Sequence, residues 1–218
     1  MSILKGLCRA FSDRKCAAII LAGGSGSRFS KGDSLPKQLT PIGSLPMIAY
    51  SLLAFDRSEN TGEIIVVSRK EDISAIEKII RSLSLTKPTK VVIGGETRQK
   101  SALCGFEAIS EGVSFIAVHD AARPLITPEA IDEIIQSAYK SKACIAACRA
   151  VDTPKIVSRS GYVLERAPDR ATLWMAQTPQ VFSVKHYRAA AYYAQSEGLE
   201  ATDDASLFEN AGDRKSVV

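Results

Sequence analysis

The sequence predicts an α/β fold with a Rossmann-like, mostly parallel sheet and flanking helices, because short apolar strands alternate with longer helical patterns. The predicted strands cover residues 17–21, 63–68, 90–93, 114–118 and 143–147. The predicted helices cover residues 46–55, 72–83, 97–109 and 128–141. The last helix has Thr127 as its N-cap and Pro128 in its first turn. Parallel strands joined in this way are expected to have right-handed crossovers.

The first strand leads into the segment that is most informative about function. Its apolar residues 17–21 are followed by a glycine-rich turn at 23–26, then by Arg28 and, after Pro36, by Lys37. Glycines let the backbone approach a ligand closely, and successive N–H groups in such a turn can form an anion-binding concavity. Arginine and lysine add positive charge. The segment therefore predicts a site for a polyphosphate.

Two familiar phosphate motifs do not fit this segment. A Walker A loop requires G-x-x-x-x-G-K-[ST], and no glycine here has that spacing to a Lys-Ser or Lys-Thr pair. The dinucleotide fingerprint G-x-G-x-x-G is matched by Gly24 and Gly26, but Phe29 occupies the third glycine position. The alternative is an ordinary strand–turn–helix connection whose glycines serve only the turn.

Later strands point to the same end of the sheet. Gly94 and Gly95 follow the third predicted strand, and His119 and Asp120 follow the fourth. Ligands of such sheets bind outside the carboxyl ends of the strands, so these residues and the glycine-rich turn are expected to converge. We expect His119 to be a hydrogen-bonded structural residue. Asp120 could be a ligand-binding residue or could simply cap the following turn.

One segment interrupts the alternation of strands and helices. Residues 155–159 and 162–166 alternate apolar with polar side chains on either side of Ser160-Gly161, which predicts a β-hairpin. A two-stranded hairpin is marginally stable alone, so it should pack on something. From the pattern alone, it is a surface hairpin packed on its own domain.

Length and charge restrict the class of protein. The 218 residues suit one domain with a sizeable core. We expect residues 1–15 to be an N-terminal extension and residues 16–218 to be a single domain. The net charge of +4 is modest and the lysines and arginines are scattered, which argues against a nucleic-acid partner. An anionic small-molecule substrate is enough to explain the positive surplus.

Cysteine content and hydropathy favour a cytoplasmic protein. The five cysteines include no CxxC pair or Cys/His set that would complete a zinc site, so we expect no protein-held metal and buried free thiols in a reducing compartment. No apolar run reaches the length needed to cross a bilayer, so no membrane partner is expected. The first 15 residues lack the hydrophobic region and cleavage site of a signal peptide.

Six motifs in order resemble those of a known family. The pattern L-A-G-G-x-G-x-R followed by P-K looks like the signature of nucleotidyltransferases that join a nucleoside triphosphate to a sugar phosphate. Further along stand GGETRQKS (94–101), HDAARP (119–124), VDTPK (151–155), DRATLWMAQTPQVF (169–182) and TDDAS (202–206). Together, from about residue 16 to about residue 212, they resemble the 2-C-methyl-D-erythritol 4-phosphate cytidylyltransferases of the non-mevalonate isoprenoid pathway.

The resemblance implies a nucleotide-diphospho-sugar transferase type of fold and a set of site residues. Arg28 and Lys37 match the residues that contact the triphosphate and stabilise charge at the α-phosphorus. The positions around the nucleotide match Ala22, Gly23, Gly24, Gly95, Glu96, Arg98 and Ser101. The positions near the sugar phosphate match Asp120, Arg123, Thr153, Arg170, Thr178 and Thr202. At Glu96 the family commonly has aspartate, so the reach of that contact is expected to differ.

The resemblance also implies the reaction and the assembly. A phosphate oxygen of the acceptor would attack CTP and release pyrophosphate, with Mg²⁺ held mainly by the CTP phosphates. The hairpin would belong to a dimerisation arm at about 152–175, in which the segment 155–170 embraces the second subunit of a homodimer. Arg170 would then reach into the neighbour's site.

The end of the chain departs from the family's pattern. The family continues past the TDDAS motif with a strand, a lysine-bearing loop and a final helix, whereas this sequence ends at Val218. We therefore expect a sheet-edge element and a phosphate-binding lysine to be absent, and Lys215 not to replace that lysine. The alternative functions are a ribitol-5-phosphate cytidylyltransferase and a catalytically dead nucleotide-binding subunit.

Overall fold

The computed structural model describes residues 15–24, 35–165, 169–210 and 216–217. The strands are β1 (Lys15–Leu21), β2 (Pro41–Ile42), β3 (Leu45–Pro46), β4 (Thr61–Ser68), β5 (Thr89–Ile93), β6 (Val113–Asp120), β7 (Ala143–Arg149), β8 (Ile156–Val157), β9 (Val163–Glu165), β10 (Trp174–Ser183) and β11 (Ser216–Val217). The α-helices are α1 (Met47–Arg57), α2 (Ile73–Leu83), α3 (Arg98–Glu107), α4 (Pro128–Ser141), α5 (Val184–Ser196) and α6 (Asp204–Asn210).

The main sheet has seven strands in the order β11-β7-β10-β6-β1-β4-β5. Neighbouring strands are parallel, except that β10 runs antiparallel to both β6 and β7. The predicted mostly parallel α/β fold is therefore confirmed. The five predicted strands and four predicted helices are present, with their ends shifted by at most two residues.

The antiparallel strand β10 escaped the sequence prediction. Its residues WMAQTPQVFS show no regular alternation, and a proline inside a strand normally argues against a central position. The structure accommodates Pro179 because the pairing of β10 with β7 is interrupted between Ala176 and Gln180. Beyond this interruption the strand is buried and pairs regularly on both sides.

The core lies on both faces of the sheet, as expected for strands covered by helices. In β1, Ala18 and Ile20 pack on the face covered by α1 and α4, whereas Ile19 packs on the face covered by α3, α5 and α6. Helix α3 comes especially close to the sheet at Gly105. A Cβ at this glycine would lie 2.4 Å from Ile19 Cγ2 and 2.8 Å from Val67 Cγ2, so only a residue without a side chain fits there.

Two of the helices that begin at the carboxyl edge of the sheet, α3 and α4, have side-chain caps. Thr97 Oγ1 accepts a hydrogen bond from Lys100 N at the start of α3. Thr127 Oγ1 does the same for Ala130 N at the start of α4, with Pro128 in the first turn. The caps fix where the chain leaves each preceding loop, and the predicted start of α4 is confirmed.

The predicted hairpin is also present, as the antiparallel pair β8–β9. Its strands are shorter than the predicted arms, and Val157, Tyr162 and Val163 are exposed. In the main sheet, the edge strand β11 pairs in parallel with β7, opposite Cys144 and Ile145. The expectation that no sheet-edge element follows the TDDAS motif is therefore wrong: two residues of such a strand are in place. Within the described ranges, no helix has both the length and the hydropathy of a membrane span.

Candidate active site

The loops after β1, β4 and β6 are tied together at the carboxyl edge of the sheet. Ala22 N donates to Val67 O at 2.7 Å, and Ala121 N donates to Leu21 O at 3.0 Å. The backbone of the first loop is thus held between its two neighbours. This arrangement confirms the predicted convergence of the glycine-rich turn and the His119–Asp120 segment at one edge.

Ser101 lies beside this edge, among the glycines predicted to surround a nucleotide. Its hydroxyl donates to Gly95 O at 3.1 Å, and the side chain is buried. A Cβ at Gly94 would lie 2.7 Å from Ser101 Oγ, and one at Gly23 would lie 3.9 Å from it. The glycines therefore leave room for Ser101 and leave an open backbone surface above β1 and β5.

Lys37 stands at the start of a 3₁₀ turn, Lys37–Leu39, and is half-buried. The next residue, Gln38, is buried and donates Nε2 to Ala22 O at 2.7 Å. Gln38 therefore ties the segment that carries Lys37 to the end of β1. The sequence analysis missed this role, although the Pro-Lys-Gln run was its signal. Arg28 and the second half of the glycine-rich turn lie outside the described residues.

Arg98 is held between two carboxylates. Its Nη1 donates to Asp204 Oδ2 at 2.6 Å, while Nε and Nη2 lie 3.3 Å and 3.2 Å from Asp120 Oδ1. Burial opposes the charge, but the carboxylates of Asp204 and Asp120 outweigh it and raise the pKa of the Arg98 guanidinium. Arg98 is therefore a fixed cation at the start of α3.

Asp120 is the centre of the charged cluster at this edge. Arg98 engages its Oδ1, and Arg123 Nε donates to its Oδ2 at 3.2 Å. The backbone N–H of Asp120 donates to Thr178 Oγ1 at 3.1 Å. The side chain remains about 31% exposed, so a ligand can still reach it. The structure thus brings Asp120, Arg123 and Thr178 together, and it pairs Arg98, which the resemblance placed among the nucleotide positions, with Asp120 as well.

His119 lies buried beneath the cluster and is hydrogen-bonded on both ring nitrogens. Nε2 lies 3.3 Å from Arg123 O, and Nδ1 lies 2.9 Å from Thr178 Oγ1. A carbonyl oxygen only accepts, so Nε2 carries the proton and Nδ1 accepts from the Thr178 hydroxyl. Burial lowers the pKa of His119 to about 4, so the ring is neutral near pH 7. The prediction of a hydrogen-bonded structural histidine is confirmed.

Gln177 is a second residue that the sequence analysis missed. Its Oε1 accepts a hydrogen bond from Arg123 Nη1, which holds the arginine from the β10 side. A cavity of about 570 Å³ adjoins Arg123, Gln177 and Thr178, and its other walls come from the loop before α4, from α4 and from β7, with small or apolar residues except for Glu133. The signal was the position of Gln177 next to Thr178, within a motif that had already been singled out.

Four predicted site residues do not join the cluster. Within the described parts of the chain, no hydrogen bond or ion pair links Thr153, Arg170 or Thr202 to Asp120 or its arginines. Thr153 and Thr202 are exposed, and Arg170 Nη1 donates to Val151 O at 2.9 Å. Glu96 is exposed as well and pairs with Lys100 at 2.8 Å. Their predicted roles remain predictions.

Metal-binding residues are not gathered at this edge. Across the part of the chain that the structure describes, no three His, Cys, Asp or Glu side chains are grouped to hold a metal ion. Both Asp120 oxygens are already engaged by arginines. Cys16 and Cys144 are buried and form no disulfide, as expected, whereas Cys148 is exposed.

Fold and site together define a nucleotide-binding α/β enzyme that handles phosphorylated substrates. The backbone is open after β1, a lysine-bearing turn is anchored to that loop, and arginines flank an accessible carboxylate at the carboxyl edge. A family model described as IspD, 2-C-methyl-D-erythritol 4-phosphate cytidylyltransferase, matches residues 16–218. The chain belongs to this family.

Relatives and solved structures agree with the family assignment. A 2-C-methyl-D-erythritol 4-phosphate cytidylyltransferase of Lachnospira eligens is 39% identical over 200 residues, which cover 91% of this chain and 86% of the relative. One from Synechocystis is 35% identical over 92% of this chain and 86% of its own length. The crystal structure of 4-diphosphocytidyl-2C-methyl-D-erythritol synthase from Anaerococcus prevotii superimposes with a TM-score of 0.83 at 29% identity, covering 94% of this chain and 89% of that one.

Proposed function

We propose that this chain joins CTP to 2-C-methyl-D-erythritol 4-phosphate, giving 4-diphosphocytidyl-2-C-methyl-D-erythritol and pyrophosphate in isoprenoid precursor synthesis. The observation that carries the proposal is the half-exposed Asp120 between Arg98 and Arg123, at the carboxyl edge of the sheet, in a chain of this family. Carboxylate and guanidinium groups match the hydroxyl and phosphate groups of a sugar-alcohol phosphate.

The reaction is an in-line displacement at phosphorus. A phosphate oxygen of the acceptor bonds to the α-phosphorus of CTP, the bond from that phosphorus to the oxygen bridging to the β-phosphorus breaks, and pyrophosphate leaves with the electron pair. The attacking oxygen is already anionic, so no side chain has to remove a proton. Catalysis then depends on positioning and on stabilising charge at phosphorus, for which we propose Lys37 and Arg28.

The remaining site residues divide between the two substrates. We propose that the backbone around Gly23 and Gly95, together with Ser101, receives the nucleotide. This is supported by the close packing of glycine and serine that leaves the backbone open. Asp120 and Arg123 would bind the acceptor, which is supported by their exposure and by the cavity beside Arg123.

Magnesium would accompany the nucleotide. Among the described residues, the exposed carboxylate of the cluster at this edge is that of Asp120, whose oxygens are already hydrogen-bonded to arginines. Mg²⁺ usually keeps several waters and takes few protein ligands, so we propose that the CTP phosphates hold it. When bound, it offsets the charge of the triphosphate.

A homodimer and a cytoplasmic location complete the proposal. Exposed apolar side chains gather on the hairpin and its flanks, namely Val151, Val157, Tyr162, Val163, Trp174 and Met175. Such a patch on a marginal two-stranded element favours coverage by a second copy through the arm. The described cysteines form no disulfide, which agrees with a reducing compartment.

Pyrophosphate release from purified protein tests the function. We expect release only when CTP, 2-C-methyl-D-erythritol 4-phosphate and Mg²⁺ are all present, and the cytidylyl product should be identified by mass spectrometry. Product formed with ribitol 5-phosphate but not with the methylerythritol acceptor would correct the substrate and keep the reaction class. Calorimetric CTP binding without turnover on either acceptor would overturn the enzyme proposal in favour of a nucleotide-binding subunit.

A further inference from the structure

A buried carboxylate outside the predicted site contacts one of its arginines. Asp204, the first residue of α6, is about 1% exposed. Tyr187 of α5 donates its hydroxyl to Asp204 Oδ1 at 3.0 Å, and Arg98 donates Nη1 to Oδ2 at 2.6 Å. Both carboxylate oxygens are therefore used by side chains that come from two other helices.

Arg98 connects this buried carboxylate with the open edge of the sheet. Its Nε and Nη2 lie 3.3 Å and 3.2 Å from Asp120 Oδ1, while Arg123 engages Oδ2. A guanidinium is a planar, rigid fork. When one side of that fork is fixed at Asp204, the direction from which the other side reaches Asp120 is fixed too.

The Asp204 end is the better held of the two. Tyr187 packs against Phe106, Phe182 and Phe208 with ring centroids 5.1, 5.9 and 6.4 Å away. A charge-assisted hydrogen bond in such surroundings is stronger than one that water can reach. Asp120, at about 31% exposure, is the looser partner. The buried end therefore determines where the guanidinium stands.

We infer that Asp204 and Tyr187 are positioning residues, which fix Arg98 and through it orient the Asp120 carboxylate toward the sugar phosphate. The inference rests on the role proposed above for Asp120. Without Asp204, the whole fork of Arg98 would be free to turn onto Asp120. The Asp120 oxygens would then be less available to the hydroxyl groups of the acceptor, so the effect should fall on the acceptor rather than on CTP.

Steady-state kinetics of Asp204→Asn and Tyr187→Phe test whether the effect falls on the acceptor rather than on CTP. Misplacement of a binding group can cost about 10²-fold, and we expect a loss of that order in kcat/KM for the acceptor in Asp204→Asn. Tyr187→Phe removes one hydrogen bond to a charged group and should lose about tenfold. The KM and the calorimetric Kd for CTP should change less than about twofold, because the glycine and Ser101 side is untouched.

Two variants on the same helix serve as controls. Asp203→Asn removes a neighbouring charge whose oxygens bond Ser206 and Gln180, not Arg98. Leu207→Val loosens the buried side of α6 without touching the network. Both should keep the acceptor kcat/KM within about twofold even if they lower the melting temperature. If Leu207→Val lowered kcat/KM for the acceptor as much as Asp204→Asn does, Asp204 would only hold α6 in place.

A spectroscopic signal of Arg98 separates this inference from the proposed reaction. The Nε–Hε resonance, assigned with Arg98→Lys, should shift clearly more in Asp204→Asn and Tyr187→Phe than in Asp203→Asn, whatever the protein catalyses, because Asp203 acts on Arg98 through its charge and not through a hydrogen bond. If the wild type makes no cytidylyl product but the resonance responds in this way, the reaction is wrong and the positioning network stands. A resonance that does not move, or a loss of CTP affinity equal to that for the acceptor, would overturn the inference.

Discussion

The two edges of the sheet hold partly buried charge in different ways. At the carboxyl edge, Asp120 is held by the side chains of Arg98 and Arg123 at 3.2 Å. At the amino edge, Asp132 of α4 accepts hydrogen bonds of 2.7–3.1 Å from the uncharged donors of residues 58–60. Lys87 of the same edge donates to backbone carbonyls, including Ser58 O at 2.6 Å.

The charged groups of the amino edge stabilise a loop, whereas those of the carboxyl edge remain able to bind a ligand. Two of the four donors to Asp132, and the acceptors of Lys87 Nζ, are backbone groups that cannot move without disrupting the loop, so both charges are held in place. An arginine side chain can exchange a carboxylate for a phosphate while the backbone stays in place. The amino edge is therefore built for stability, and the carboxyl edge is built for exchange of partners.

The pKa values agree with this division. Burial opposes the charge of Asp132, but hydrogen bonds from Ser58 and Asn60 outweigh it and lower the pKa of its carboxyl. Partial burial lowers the pKa of Lys87, against the pull of Asp56 and Asp132. At the carboxyl edge, burial raises the pKa of Asp204, against the pull of Arg98. That carboxylate therefore depends on its arginine to stay charged.

The largest expected effect is on activity, at the carboxyl edge. Lys37→Met removes a donor proposed to act on the phosphoryl group, so kcat should fall by roughly 10²–10³-fold with little change in stability. Lys140→Met, at an exposed lysine near the amino edge, is the control and should leave kcat unchanged. A change confined to the KM for CTP would show that Lys37 only binds the ground-state nucleotide.

Acid should affect the two edges over different pH ranges. The pKa of His119 is about 4 in the folded chain against 6.5 for the free side chain, so the unfolded chain binds more protons between these values. The free energy of unfolding should therefore fall by ~3 kcal/mol as pH drops from about 6.5 to about 4. The carboxyl of Asp132 has a lowered pKa. Its contribution to the free energy of unfolding should therefore be lost only as pH falls below the ordinary carboxyl range.

Chemical denaturation at several pH values measures the slope of the free energy of unfolding against pH. His119→Gln should be less stable near pH 7 and should lose most of the slope between pH 6.5 and pH 4. His186→Gln replaces the other histidine of the chain and should retain it. An unchanged slope in His119→Gln would assign the acid sensitivity to other groups.

The amino edge should respond in stability rather than in catalysis. Asp132→Ala leaves the donors of Ser58, Glu59 and Asn60 without their acceptor, which should cost about 2 kcal/mol by denaturant titration. Gln136→Ala, at an exposed position one turn further along the same helix, should cost less than about 0.5 kcal/mol. In both variants kcat should remain that of the wild type below the unfolding transition, and a selective loss of kcat in Asp132→Ala would contradict the division between the edges.

The arm offers a test of whether the carboxyl edge is shared between subunits. If Arg170 serves the partner's site, Arg170→Ala should raise the acceptor KM by about tenfold and leave CTP binding nearly unchanged. Mixing chains with Lys37→Met and chains with Arg170→Ala should then restore activity, because one site in each mixed dimer has both wild-type residues. Verified mixed dimers without activity, or a monomer by light scattering, would exclude a shared site.

The smallest effect should come from a charge pair that belongs to neither edge. Arg81 and Glu77 are exposed on α2 and lie 3.7 Å apart. Glu77→Gln should change the free energy of unfolding by less than about 0.5 kcal/mol, and the difference should vanish in high salt. A larger change would indicate that surface pairs stabilise this chain as much as the clusters at the edges do.

The sequence predicted the parallel part of the fold and, in the charged cluster at the carboxyl edge, Asp120 and Arg123. Apolar runs of four to six residues and apolar residues at helical spacing follow local rules, so β1, β4 to β7 and α1 to α4 could be located. Asp120 could be placed because residues that follow parallel strands meet at one edge, and Arg123 because it belongs to a motif that resembles the family's. Strand β10 could not, since its pattern is broken at Pro179 and its pairing is set by tertiary contacts.

The residues missed in the site share one physical property. Gln38, Gln177, Tyr187 and Asp204 act on other side chains or on the backbone, across separations of 16 to 106 residues. Such partners have no local spacing rule, so only the folded chain reveals them. Asp204 belonged to a recognised motif, but its burial and its contact with Arg98 could not be read from TDDAS.

Strand β10 has a topological consequence for the arm. If all strands of the sheet were parallel, each segment that leads into a strand would arrive at the amino edge, away from the site. Because β10 is reversed, the segment that enters it arrives at Trp174 beside the cluster instead. The residues before it, from the hairpin to Arg170, can therefore lengthen, shorten or exchange between molecules without shifting a strand. The reversal gives this fold one incoming chain segment whose length and sequence can vary at the site while the sheet stays unchanged.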